Sequence, residues 1–149
     1  MKHEQFMHLA IEQAKIAYKN NEVPVGAVIV CNNKVIAKAH NTTTQTNDPT
    51  NHAELLCIKQ VASKFGKQTL HNSTLYVTLE PCPMCAGAII LAGLQTCYFG
   101  ASDKRQGCCE SIYALTQDPT FYHRTPAIGG LLAEECAKLL VDFFKSKRN

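Results

Sequence analysis

Two hydrophobic periodicities alternate along this chain of 149 residues, and their order confines it to folds in which helices cover a sheet. Met7, Ala10, Ile11, Ala14, Ala17 and Tyr18 recur at helical spacing and predict an amphipathic opening helix. Val25 to Cys31 and Lys34 to Ala39 are rich in β-branched residues and flank Asn32-Asn33, a pair that tolerates the positive φ of a tight turn. A hairpin is the expected result. The polar, Thr-rich stretch from Asn41 to Thr50 ends in Asp48-Pro49 and reads as a surface loop that delivers His52 to the next element. A helix then runs from near His52 to about Phe65, with Leu55, Ile58, Ala62 and Phe65 on one face and Gly66 as its left-handed end.

Thr74 to Leu79 predicts a strand, broken by Pro81 and Pro83. Pro83 suits the first position of a helix that reaches Ala92 and stops at Gly93. Gln95 to Gly100 is a further strand; a short helix is expected around Ile112 to Leu115, and Ala127 to Leu131 is a poor edge strand beside Pro126. Leu132, Cys136, Leu139, Leu140 and Phe143 give the last helix its stripe, with Lys145, Lys147 and Arg148 at its C-terminal end. The order α, β, β, α, β, α, β, β, α specifies an α/β fold: a three-layer α/β/α sandwich around a mixed five-stranded sheet, with residues 1–149 as one domain.

Composition excludes several function classes. At 46% hydrophobic and 18% charged, the chain has enough apolar content for a core without disulfide staples. No apolar run approaches the roughly 20 residues that cross a bilayer, and charges interrupt the N-terminus, so a cytoplasmic protein is expected, with no membrane partner. A net charge of +3 is too small for a strong nonspecific grip on nucleic acid. In a reducing compartment its eight cysteines stay free or bind metal, and among them Cys82 and Cys85 have ligand-like spacing.

His52 joins those two cysteines as a candidate metal set. If Cys82 caps the helix that Pro83 begins, Cys85 lies one turn along on the same side, and two thiols and an imidazole suit zinc. Three protein ligands leave a tetrahedral ion one position for water, whose pKa falls to about 7. Glu54 is the natural proton carrier, provided that it shares a first helical turn pointing end-on at the ion. Cys108 and Cys109 offer a rival arrangement in which a fourth sulfur closes a purely structural site. Glu80 is expected to be structural, its carboxylate satisfied by backbone amides, and Asn41 is a residue that can shape a turn.

His52-Ala53-Glu54 followed by Pro81-Cys82-Pro83-Met84-Cys85 resembles the signature of the zinc-dependent nucleobase deaminases. The chain is similar over nearly its whole length to the bacterial tRNA-specific adenosine deaminases. The wider match includes Glu22-Val23-Pro24-Val25-Gly26-Ala27-Val28, Asp48-Pro49-Thr50, residues 74–80, Phe99-Gly100-Ala101 with Asp103, and Glu134-Glu135-Cys136-Ala137. That resemblance implies a cytidine-deaminase-like fold and a homodimer that converts the wobble adenosine of a tRNA anticodon to inosine by attack of zinc-bound hydroxide. One zinc ion per subunit would be held by His52, Cys82 and Cys85, with Glu54 as proton shuttle. Asn41 would bind the purine, Asp103 would lie near the ribose 2′-hydroxyl, and Phe144, Lys147 and Arg148 would help hold the anticodon loop.

The chain departs from the family pattern at Asn51, where Ala is common, and at Gln106-Gly107-Cys108-Cys109, a stretch usually small and Gly/Ala-rich. Its Thr43 to Asp48 loop also resembles that of bacterial guanine deaminases. Two other functions therefore stand beside tRNA editing: deamination of free guanine or another nucleobase, and a noncatalytic zinc-stabilised RNA-binding module.

Overall fold

Strand β1 (Gly26–Cys31) is almost wholly apolar because both of its faces are covered. Ala27 and Ile29 enter one buried cluster with Leu75 and Val77 of β3 (Ser73–Leu79) and Cys97 and Phe99 of β4 (Thr96–Ala101). That cluster is closed by Cys57, Ile58 and Val61 of α3 (Ala53–Phe65) and by Ile89 of α4 (Pro83–Ala92). Val28 and Val30 enter the second cluster, with Met7, Ala10 and Ile11 of α1 (Lys2–Lys19) and Cys136 of α5 (Ala133–Lys147). Alternation of side chains along one strand thus builds three layers. The computed structural model describes residues 2–148.

With β2 (Lys34–His40) and β5 (Ala127–Ile128) the sheet has five strands in the order β2-β1-β3-β4-β5. β1 pairs antiparallel with β2 and β3, while β3, β4 and β5 run parallel, which is the expected mixed sheet. The β1–β2 turn places Asn32 at φ 52° and Asn33 at φ 62°, the two left-handed residues that a tight hairpin turn demands. α1 lies so close to β1 that a Cβ on Gly26 would overlap the Ala10 carbonyl oxygen and the Ala14 amide nitrogen. Among the described residues no helix is long and apolar enough to cross a membrane.

Five local expectations are corrected. The buried face of α3 is Ala53, Glu54, Cys57, Ile58 and Val61, and Phe65 is 45% exposed, because turning Glu54 inward rotates the helix away from the predicted stripe. Gly66 has φ 90° but ψ 152°, so it has positive φ without being left-handed helical, and it leads into a 3₁₀ segment at Lys67–Asn72. The 41–50 loop contains a one-turn helix, α2 (Thr43–Thr46), whose Thr44 and Gln45 amides donate to the buried carboxylate of Glu22 at 2.9 and 2.6 Å. The short helix expected around Ile112 is instead a 3₁₀ turn at Leu115–Gln117, and the edge strand shrinks to Ala127–Ile128.

The parallel strands β3 and β4 end side by side, with Leu79 paired to Ala101, and α4 starts four residues after β3 ends. Carboxyl ends of parallel strands are where open α/β sheets leave a crevice for ligands.

Candidate active site

Two helix N-termini meet in that crevice. His52 is the N-cap of α3, at φ −82° and ψ 150°, and Cys82 is the N-cap of α4, at φ −74° and ψ 176°. Neither side chain caps its own helix, so the ring and the thiol are both free to turn outward from the helix end. The caps are replaced by other means. Asn41, which follows β2, accepts the Ala53 amide on its Oδ1 at 2.9 Å, and Pro83 at the start of α4 has no amide hydrogen to satisfy.

Cys85 sits in the first turn of α4 and is fully buried. The Cys82 and Cys85 sulfurs lie 3.5 and 3.6 Å from His52 Nδ1, and one ligand atom from each of the three residues lies within 4.8 Å of the others. Hydrogen bonding from the Cys85 thiol outweighs burial and, with the His52 ring, holds the Cys82 thiol down to about 4. Hydrogen bonding to Cys82 and burial push the Cys85 thiol well above the ordinary range, and the bond with Cys82 raises His52. Two sulfurs this close cannot both ionise without a cation between them, whereas a divalent ion would let both do so. Soft sulfur with imidazole is a donor set suited to zinc, and the positive ends of α3 and α4 favour thiolate in the same place. Cys108 and Cys109 are outside the cluster. The Cys108 amide is bonded to the Pro81 carbonyl at 2.9 Å, and the Cys109 amide donates to Glu80.

Glu54 is 4% exposed in the first turn of α3, and burial pushes its carboxyl up to about 7. It opens with His52 and Cys82 into a cleft of about 920 Å³. The end-on first turn that a His-x-Glu pair requires is therefore present, since His52 and Glu54 line one cavity although alternate residues on a regular helix diverge.

The chain is 43% identical to the tRNA-specific adenosine deaminase of Bacillus subtilis (strain 168) over 145 residues, which is 97% of this chain and 90% of that one. It belongs to the tRNA-specific adenosine deaminase family. The model of the MafB19-like deaminases also matches residues 1–146. A relative so named from Aquifex aeolicus (strain VF5) is 42% identical, with 98% of this chain and 96% of that one covered. A solved structure from work on A-to-I editing by tRNA:A34 deaminases at the wobble position of transfer RNA matches with a TM-score of 0.87 and 41% identity, covering 91% of this chain and 99% of that one. The guanine deaminase of Bacillus subtilis matches with a TM-score of 0.64 and 38% identity, over 68% of this chain and 66% of that one.

The residues of this tRNA-specific adenosine deaminase family member that the resemblance assigned to substrate, Asn41, Asp103, Phe144, Lys147 and Arg148, all line the same cleft. Their side chains are not equally free. Asn41 spends Oδ1 on α3, while its Nδ2 makes no hydrogen bond among the described residues. Asp103 Oδ1 accepts the amides of Arg105 and Gln106 at 3.0 and 3.2 Å, which shapes the loop after β4. Lys147 donates to Asn21 Oδ1 and lies 5.3 Å above the Phe143 ring, and Phe144 meets Phe143 edge-on at 5.4 Å.

Sequence reasoning missed Thr43, Lys104, Arg105 and Gln106 in the cleft. The basic pair directly after Asp103 was the available signal. Asn51 also acquires a reason: its Nδ2 donates to Thr46 Oγ1 at 2.7 Å and its carbonyl accepts the Thr42 amide, tying α2 to the residue before His52.

Proposed function

We propose that this protein hydrolyses the wobble adenosine of a tRNA anticodon to inosine and ammonia. The observation that carries the reading is one cleft that joins the His52, Cys82 and Cys85 donors to the buried Glu54 and to a rim holding Phe144, Lys104, Arg105, Lys147 and Arg148. His52, Cys82 and Cys85 would hold one zinc ion per subunit, which when bound lowers the pKa of a coordinated water to about 7. Glu54 takes the proton released as water adds to adenine C6 and gives it to the ring nitrogen, where it stays; it then carries the proton of the new C6 hydroxyl to the amine, which leaves as ammonia as the C6 carbonyl forms. Asn41 presents Nδ2 to the purine and Asp103 its second carboxylate oxygen to the ribose 2′-hydroxyl, the group that separates RNA from DNA.

An anticodon loop suits such a pocket because its bases are already unpaired, so turning one inward costs little. Phe144 offers a stacking surface, and the four cations around the opening favour a phosphate backbone. The same reading takes the working form to be a homodimer in the cytoplasm. The similarity to a guanine deaminase keeps a free base as the competing substrate. Incubation with an adenosine-wobble anticodon stem-loop and, separately, with guanine distinguishes the two. Inosine in the RNA is the expected product, whereas xanthine from guanine with no inosine would reverse the assignment.

A further inference from the structure

We propose that Glu80 is a positioning residue for RNA: by gathering residues 103–111 around its carboxylate, it builds the wall of the cleft that carries Asp103, Lys104 and Arg105. This role rests on the RNA reading above.

Glu80 follows β3 directly and is 2% exposed. Its Oε1 accepts the Asp103 amide at 3.0 Å and the Ser111 hydroxyl, and its Oε2 accepts the amides of Cys109, Glu110 and Ser111 at 3.2, 2.8 and 2.8 Å. Donors from both ends of the segment therefore converge on one side chain. Gly107 makes that convergence possible, since a Cβ there would overlap the Glu80 carboxyl carbon, its Oε1 and the Asp103 carbonyl oxygen. The Gly107 amide meanwhile closes the turn by donating to the Asp103 carbonyl at 2.8 Å.

Glu80 also lines the cleft, yet each of its oxygens already accepts at least two hydrogen bonds. Little capacity is left for a substrate proton, so its influence runs through the loop. What the loop presents is charge. Among the described residues Lys104 and Arg105 form no ion pair, and both stand exposed at the cleft. Held in place, the loop brings them to a phosphate backbone with its main chain already ordered; released, the main chain must be ordered at each binding event.

The experiment compares wild type, Glu80→Gln and Ser111→Ala in two assays: steady-state editing of the anticodon stem-loop, and trypsin cleavage after Lys104 and Arg105. Glu80→Gln turns a donor toward backbone amides, and it is expected to raise KM about tenfold while kcat stays within about threefold and zinc content is unchanged. Cleavage in the loop should quicken in parallel. Ser111→Ala removes a single donor and should move KM and cleavage the same way by a smaller factor, which decides the matter if Glu80→Gln does not fold. Unchanged KM and cleavage in the folded variants would overturn the proposal. So would a fall in kcat at constant KM, which would place Glu80 in the chemistry. A wild-type protein that makes no inosine defeats the RNA reading itself and this role with it; active wild type with unaltered variants defeats this role alone.

Discussion

Asn41 Oδ1 accepts the Ala53 amide at 2.9 Å, so the residue directly after the β-hairpin also closes the N-terminus of the helix presenting His52 and Glu54. The N-cap position itself is taken by His52, whose ring is turned to the sulfurs, and the orphaned amide is served from a distant point in the chain. Asn41→Ala should therefore weaken the fold and loosen the metal cluster together. A loss of about 1 kcal/mol is expected for the missing cap. Thermal unfolding and zinc release to a competing chelator check the two effects, and a variant with unaltered chelator resistance would separate Asn41 from the metal site.

Glu54 stands beside the donor set without belonging to it. Glu54→Ala should keep stoichiometric zinc and a native circular dichroism spectrum while inosine formation falls by at least about a hundredfold, the usual scale for loss of a positioned acid–base group. Retained turnover would reject its part in proton transfer.

The cations of the cleft come from two places far apart in sequence, Lys104 and Arg105 on the loop after β4 and Lys147 and Arg148 at the end of α5. Replacing Lys147 and Arg148 with Ala should weaken stem-loop binding and flatten its salt dependence, by roughly 0.7 in log–log slope for each phosphate that is no longer neutralised. The Lys104 and Arg105 double variant should do the same. Binding measured across a salt series tests both, and an unaltered slope removes the corresponding element from the RNA site.

Much of this was legible in the sequence because it depends on local chemistry. Asn32-Asn33 set a turn that needs two left-handed residues, Pro83 and Gly93 bound α4, and His52, Glu54, Cys82 and Cys85 have short-range spacing that survives in the folded site. What escaped depends on contacts between distant residues. Nothing near Thr43 announces α2, whose amides are held by Glu22. The inward turn of α3 is set by the cleft and by Asn41, and hydrophobic spacing alone pointed to a face ending in the exposed Phe65. Glu80 was read correctly as a carboxylate satisfied by amides, but the sequence could not say that one of those amides is that of Asp103, in the segment that lines the cleft.

On the α1 side of the sheet, Tyr76 and Tyr98 stack at 5.2 Å with an interplanar angle of 8°, and the Tyr76 hydroxyl is 2.6 Å from His3 Nδ1. Burial, reinforced by the neighbouring Tyr98, pushes the Tyr76 phenol from 10.0 up to about 12. The folded state thus prefers the neutral phenol more strongly than the unfolded chain does. Its contribution to stability is complete below pH 10 and declines as pH rises towards 12, because over that interval only the unfolded form gains by ionising. In an absorbance titration the ionisation step that Tyr76→Phe abolishes should be centred near pH 12. Stability to denaturant should likewise fall less steeply between pH 10 and 12 in Tyr76→Phe than in wild type. A Tyr76 step centred near pH 10 instead would show that the sheet does not shield it.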